Sequence, residues 1–256
     1  MFIDIHNHII PRIDDGSDNI TTSLDMIRIA SEEGIRKIIA TPHFIYGSVN
    51  NSAKYIAELG AEVANVASEE GIELMFGSEV FICPEICSLV QDGTVCRLSN
   101  SRYVLIELPM LSIPTYCIDV LFNLQLMGYI PIIAHPERNK VFQKNQDQLF
   151  KLVERGILAQ VNSTSITKLY GKDVQKVAMK FIEGGLVHFV ASDAHTNRGR
   201  APRMIKAHDV ISKEFGKDVA RKLFTENGQA VIDDREIYVD IPVEKKRNFI
   251  MSLFSF

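Results

Sequence analysis

No stretch of the sequence approaches the roughly 18 consecutive apolar residues that a membrane-spanning helix needs, so no membrane span is expected. Basic charge is not in excess either. The formal net charge is −4, which offers no electrostatic footing for a nucleic-acid partner. Met1-Phe2-Ile3-Asp4-Ile5-His6 lacks the basic start and long apolar stretch of a secretory leader and reads as a strand. A cytoplasmic location is the expectation. Cysteine is sparse: of Cys83, Cys87, Cys96 and Cys117, only the Cys83-x3-Cys87 spacing hints at zinc, and no second pair completes it. The four are read as reduced thiols. No linker rich in proline, glycine or serine divides the chain. Residues 1–240 are therefore expected to form one domain, followed by a tail over 241–256.

What is present suits an α/β barrel. The 256 residues match the roughly 250 of one such barrel. A content of 46% hydrophobic and 23% charged residues allows a large core. Short runs rich in Ile and Val, at 2–6, 36–41, 72–79, 103–108, 130–134, 157–161 and 186–192, read as parallel strands buried on both faces. Between them lie helical patterns over 18–33, 52–70, 115–127, 145–155, 170–183 and 201–215. In the first, Ile20, Leu24, Ile27 and Ala30 form one stripe, with Asp18 or Ser17 as N-cap. Ser31-Glu32-Glu33-Gly34-Ile35 and Ser68-Glu69-Glu70-Gly71-Ile72 are identical pentads, each placing a glycine where a helix ends and an aliphatic residue where a strand begins. Such alternation with short turns predicts a parallel barrel or a doubly wound sheet.

Chemistry gathers where the strands end. The first runs into His6-Asn7-His8, the second into Thr41-Pro42-His43, the third into Ser78-Glu79 and the fourth into Ile106-Glu107. The fifth ends Ala134-His135-Pro136-Glu137-Arg138 and the seventh Ser192-Asp193-Ala194-His195. The sixth ends in Gln160-Val161-Asn162 and lacks a strong ligand. In a barrel these ends meet on one face. Buried carboxylates are costly unless paired or metal-bound, so the pattern points to a metal site. Imidazole with carboxylate suits Mn, Fe or Zn better than Ca or Mg. The donors are too many for one ion, and Glu79 or Glu107 can bridge two. His6, His8 and Asp4 share strand parity, so Asp4 is a candidate support for the two histidines. His188 reads as a packed core residue and His208 as a helix-surface one. Arg138, Arg198 and Arg200 lie on the same rim, and guanidinium groups grip phosphate oxygens bidentately.

Together, His6-x-His8, Asp14-Asp15-Gly16, Thr41-Pro42-His43, Glu79, Glu107, Ala134-His135-Pro136-Glu137-Arg138 and Ser192-Asp193-Ala194-His195 resemble the polymerase and histidinol phosphatase (PHP) family. Asn100-Ser101-Arg102-Tyr103 and Gln160-Val161-Asn162-Ser163 extend the likeness over most of residues 1–235, toward the bacterial manganese-dependent tyrosine-protein phosphatases of capsule and exopolysaccharide clusters. The resemblance implies a distorted seven-stranded (β/α) barrel with three divalent ions, Mn above Fe or Zn. It implies that His6, His8, Glu79 and Asp193 hold one ion, Glu79, Glu107 and His135 a second, and Asp15, His43 and His195 a third. Asp14, adjacent to Asp15, is the alternative ligand. Arg138 and Arg200 match the phosphate-contacting arginines. The implied reaction is hydrolysis of phosphotyrosine by metal-activated water, on the tail of a membrane-associated tyrosine kinase. A small-molecule phosphatase of the histidinol-phosphatase type is the alternative. The tail, Lys245-Lys246-Arg247 followed by Phe249-Ile250-Met251-Ser252-Leu253-Phe254-Ser255-Phe256, is either a frayed or self-packed terminus or a peripheral contact to a membrane or partner.

One motif points elsewhere. Cys96-Arg97-Leu98-Ser99-Asn100-Ser101-Arg102 has the Cys-x5-Arg spacing of cysteine phosphatases, but it has no glycine and runs into a strand rather than a helix N-terminus. Cys96→Ser is accordingly expected to leave turnover of an aryl phosphate within a few-fold. Loss of all activity in a folded variant would restore the thiol mechanism.

Overall fold

A computed structural model describes residues 1–238; the tail expected over 241–256 lies outside the described residues. The chain alternates strand and helix: β1 (Phe2–Asn7), α1 (Ile20–Glu32), β2 (Ile35–Ala40), β3 (His43–Phe44), α2 (Ala53–Glu69), β4 (Glu73–Phe76), β5 (Glu79–Phe81), α3 (Ile86–Gln91), β6 (Tyr103–Glu107) and α4 (Cys117–Leu126). There follow β7 (Ile130–Ala134), α5 (Lys140–Lys144), α6 (Asp147–Glu154), β8 (Leu158–Asn162), α7 (Ser163–Ile166), α8 (Lys172–Glu183), β9 (Phe189–Ala191), α9 (Ile205–Phe215), α10 (Lys217–Arg221) and α11 (Asn227–Ile232).

All paired strands are parallel, in the orders β1-β2-β4 and β3-β5-β6-β7-β8-β9. The nine strands make seven staves, because two staves are broken. Pro42 has no N–H and interrupts the second between β2 and β3, while Gly77-Ser78 interrupts the third between β4 and β5. The sequence reading ended the second strand at 41, without β3, and ran the third unbroken over 72–79. The halves stay in line: Gly77 N–H donates to Ala40 O (2.8 Å) and Glu79 N–H to Pro42 O (3.2 Å). The ring closes where Asn7 bridges Ala194, with His8 N–H donating to Ala194 O (2.8 Å) and Asp193 N–H to His6 O (2.9 Å). The barrel is thus the distorted (β/α) form that the resemblance implied.

Two layers of apolar side chains stabilise it. Ile3, Ile5, Tyr103, Leu105, Ile132, Leu158 and Phe189 form one buried cluster, on the inner strand faces. Ile38, Val104, Ile133, Ala159 and Val190 alternate with them and pack outward under the helices. The pentad glycines do what their position suggests: Gly34 and Gly71 take positive φ (76° and 73°) and turn each helix into the next strand. Helix α1 starts at Ile20, two residues later than expected. Asn19, not Asp18 or Ser17, accepts the Thr22 N–H (3.0 Å). Helix α9 starts at Ile205 rather than 201, where the Glu33 carboxylate accepts the Met204 and Ile205 N–H groups. The sequence reading did not extend helix past 215, yet α10 and α11 follow. A Cβ on Gly228 would come within 2.9 Å of Ile3 Cγ2, so α11 lies directly on β1. Among the described residues no helix is long and apolar enough to cross a membrane.

The break in the third stave leaves β4 unpaired with β6. The turn at Leu98–Asn100 sits against both strands, and a Cβ on Gly77 would lie 2.7 Å from Leu98 Cδ2. Leu98 is fully buried. Leu98→Ala is expected to cost about 2–5 kcal/mol in urea unfolding, since it empties this seam. A loss below about 1 kcal/mol would show that the seam closes without it.

Candidate metal centre

The C-terminal strand ends converge as expected for a barrel. β1 delivers His6 and, one residue beyond its end, His8. β3 begins with His43, β5 with Glu79, and β6 ends with Glu107. His135 and Asp193 follow β7 and β9 in left-handed backbone conformations (φ 32° and 51°), which turn their side chains inward. Such conformations cost non-glycine residues on the order of 1–3 kcal/mol each, so something in the site must hold them.

The donor atoms face one another. His6 Nε2 and His8 Nε2 are 3.2 Å apart. Glu79 Oε2 lies 3.2 Å from the first and 3.3 Å from the second, and Asp193 Oδ1 lies 3.5 and 3.7 Å from them. Nearby, Asp15 Oδ1 is 3.3 Å from His43 Nε2 and 3.4 Å from His195 Nε2. A first-row divalent ion binds such atoms at roughly 2.1 Å, which sets neighbouring ligands about 3.0 to 3.4 Å apart. The spacing therefore suits ions at the centre of each group. His43 Nδ1 reinforces this: it is buried, 3.1 Å from Glu79 Oε2, yet makes no hydrogen bond. Three groups have ligand atoms within 4.8 Å of one another: His8, Asp15, His43 and His195; His6, His8 and Asp193; and His43, Glu79 and Glu107. His135 is in none of them, but its Nε2 lies 2.8 Å from Glu79 Oε1 and 3.8 Å from Glu107 Oε1.

Neighbours fix the tautomers. His6 Nδ1–H donates to Gln160 Oε1 (2.8 Å) and His8 Nδ1–H to Asp14 Oδ2 (2.7 Å), leaving both Nε2 lone pairs directed at the cluster. Gln160 in turn donates to Asn162 Oδ1 (2.9 Å), and Asn162 donates to Asp193 Oδ2 (2.6 Å). The sixth strand, which looked poor in ligands, thus aligns two residues of the cluster. Its neutral amides carry no metal signal in a sequence. Asp14 and Asp15 separate in role. Asp14 also accepts the His43 and Gly16 N–H groups, while Asp15 faces His43 and His195. Asp4 does not support the histidines. Irregular register in β1 breaks the parity, and Asp4 instead accepts from Ser192 N (2.8 Å), Ser192 Oγ (2.5 Å) and Asn7 (2.9 Å), tying β9 to β1.

Electrostatics follow from this crowding. Burial pushes the Glu107 carboxyl up, and the charge of Glu79 pushes it further. Burial would raise Asp193 too, but His6, His135 and Arg200 pull it below the usual carboxylate range. Bonds from His195 and His43 hold Asp15 low. Arg138 Nη1 donates to Asp193 Oδ2 (3.2 Å), and Arg200 Nη2 to Asp193 Oδ1 (2.9 Å). The Arg138 guanidinium stacks over Tyr170 at 4.6 Å. Arg198 is exposed and outside this constellation.

The remaining candidates lie elsewhere. Cys96 is buried, with its thiol pushed up to about 11 by burial, and Arg102 pairs with Asp234. His188 is buried, accepts the Ala159 N–H (3.1 Å) and is pushed down to about 4 by burial. His208, expected on a helix surface, is packed against the rings of Phe2 and Phe224 at 5.0 and 5.4 Å.

Against known proteins, residues 2–233 match the CpsB/CapC family of capsular polysaccharide synthesis. The chain belongs to the CpsB/CapC family. It is 36% identical to the tyrosine-protein phosphatase YwqE of Bacillus subtilis, over 98% of this chain and all of that one. It is 32% identical to the tyrosine-protein phosphatase CpsB of Streptococcus pneumoniae, over 92% of this chain and all of that one. A solved structure from the pair YwqE and CpsB, described as unique metal-dependent tyrosine phosphatases, superposes with a TM-score of 0.90 at 36% identity, over 94% of this chain and 98% of that one. The lactonase Lmo2620 of Listeria monocytogenes shares the fold, with a TM-score of 0.60 at 12% identity over 92% of this chain and 95% of that one. In this CpsB/CapC chain, Asp14 is the test of how the histidines are held. Asp14→Ala is expected to weaken metal binding about 10- to 100-fold in a competition titration with a chelating dye. Unchanged affinity would mean that His8 is oriented by something else.

Proposed function

We propose that this chain is a metal-dependent tyrosine-protein phosphatase with a centre of three divalent ions, manganese foremost. In this reading His6, His8, Glu79 and Asp193 hold one ion. Glu79, Glu107 and His135 hold the second, and Asp15, His43 and His195 the third. The spacing between donor atoms supports the first and third groups most directly. Three divalent ions against the four carboxylates Asp15, Glu79, Glu107 and Asp193 leave a site charge of roughly +2, which favours an anionic substrate.

The observation that carries the phosphatase reading is the convergence of Arg138 and Arg200 on the two oxygens of Asp193, at the edge of the cluster. Both arginines are partly exposed, at 22% and 28%, so their free N–H groups reach an incoming ligand. When bound, divalent ions lower the pKa of water toward neutrality and draw charge from phosphoryl oxygens. The arginines grip the peripheral oxygens of the phosphate and neutralise charge that grows during transfer. Tyr170 beneath Arg138 keeps its guanidinium plane fixed. The leaving phenolate has a pKa of about 10, so no dedicated strong acid is required. With Cys96 buried and its thiol raised, no phosphocysteine intermediate is expected.

The family's place in capsular polysaccharide synthesis supports a cytoplasmic enzyme acting on the phosphotyrosine tail of a membrane-associated tyrosine kinase. An extended tail can enter an open barrel mouth without unfolding a domain. The closed ring of staves among the described residues also supports reading residues 1–240 as one domain.

Stripping with a chelator is expected to abolish turnover, and Mn to restore it at least as well as Mg. kcat/KM on a phosphotyrosine peptide is expected to exceed that on a phosphoserine peptide and on histidinol phosphate by more than about tenfold. Preference for histidinol phosphate would overturn the protein-phosphatase reading. Arg138→Ala is expected to lower turnover about 100-fold with metal content unchanged. Normal kinetics would place the phosphate elsewhere.

A further inference from the structure

A groove of about 400 Å³ runs along the flank of the barrel, from Gly199, next to Arg200, to Glu33 at the end of α1. One wall is α7 and the residues after it, with Thr164, Thr167 and Lys168; the other is the turn before α9 and its first residues, with Gly199, Arg203 and Lys206. The first wall leads into Tyr170, and the second carries Arg200. Lys168 and Leu169 immediately precede Tyr170, on which Arg138 stacks, and Gly199 immediately precedes Arg200. The groove thus begins one residue from Arg200 and one from Tyr170, within reach of residues that flank a phosphotyrosine held between Arg138 and Arg200.

The groove is electropositive. It holds Lys168, Arg203 and Lys206 against the single carboxylate Glu33. That carboxylate is already engaged: it lies 3.4 Å from Arg203 Nη1 and accepts the N–H groups of Met204 and Ile205. Lys168 and Lys206 are exposed and make no ion pair among the described residues. Thr164 lines the groove and is only 6% exposed, and its Oγ1 neighbours the Tyr170 hydroxyl. Lys168, two residues before Tyr170, and Lys206, six residues after Arg200, are two unpaired ammonium groups that make this groove a receptor for an oxyanion.

We propose that this groove is a specificity subsite for an anionic side chain of the substrate, a carboxylate or a second phosphate, within a few residues of the phosphotyrosine. The inference rests on the tyrosine-phosphatase reading of the metal centre. It makes this chain select acidic or multiply phosphorylated tails over neutral ones, without any part in the bond-breaking step. Lys168 and Lys206 act on binding of the chain, so they govern KM on peptides and leave small aryl phosphates untouched.

The test is kcat/KM on phosphotyrosine peptides whose flanks carry Ala, Glu, Lys or a second phosphotyrosine, compared with p-nitrophenyl phosphate. The wild-type protein is expected to favour the Glu or doubly phosphorylated flank over Ala about three- to tenfold, through KM, and to disfavour Lys. Lys168→Ala with Lys206→Ala is expected to remove that preference while p-nitrophenyl phosphate turnover stays within twofold. Glu and phosphotyrosine arms separate the two sources of the anion. A wild-type protein indifferent to flanking charge, or a preference that survives in the double variant, would overturn the proposal. Anisotropy of labelled peptides bearing a non-hydrolysable phosphonate in place of the phosphotyrosine reads the groove without turnover. Flank-dependent binding with no hydrolysis of any phosphotyrosine peptide would sink the activity and keep the groove. Hydrolysis with no flank dependence would sink the groove alone.

Discussion

Burying histidines and carboxylates together on one barrel face is the constraint around which the rest of this structure is arranged. His6, His8, Glu79 and Asp193 are almost wholly removed from water, and their donor atoms point at one another. Hydrogen bonds alone do not settle that arrangement, because His43 Nδ1 is left without one and the facing imidazole nitrogens compete for the same acceptors. Cations shared among them resolve both problems, since each lone pair then has a positive centre to face. The arginines, the fixed tautomers and the inward turns at His135 and Asp193 are all consequences of holding such a cluster in one volume.

The barrel is distorted where the cluster demands it. Pro42 and Gly77-Ser78 break two staves, and each break lets the upper half restart with a cluster residue, His43 in one and Glu79 in the other. The gap left below is filled by Leu98. Closure of the ring runs through the same chemistry. His8 and Asp193, both in the cluster, make the backbone hydrogen bonds that join the last stave to the first. Site and fold are therefore one object here, and Asp4 belongs to the second as a strap between Ser192 and Asn7.

Much of this was legible in the sequence because the signals are repeated. Apolar runs ending in His, Glu or Asp occur stave after stave, and the pentad glycines mark where helices stop. What escaped notice had no repeated signal. The third stave read as continuous because Leu74-Met75-Phe76 keeps its strand character up to the break, and β3 escaped because only two residues follow Pro42 before the strand ends. Helices α10 and α11 were missed, although α11 lies directly over Ile3. Gln160 and Asn162 are neutral and were passed over, yet they fix His6 and Asp193. Asp14 and Asp15 are indistinguishable by type. The turn at Gly16, where a Cβ would come within 2.3 Å of His8 O, sets which of them faces which histidine.

The central claim is that cations, rather than contacts among the side chains, hold this cluster together. Metal content by inductively coupled plasma mass spectrometry, on protein purified without chelator and melted in the same sample, addresses it most directly. The account expects about three divalent ions per chain and a melting temperature that drops on stripping, because ions bound only by the folded state stabilise it. A chain carrying less than one ion per molecule, with the same melting temperature before and after stripping, would contradict it.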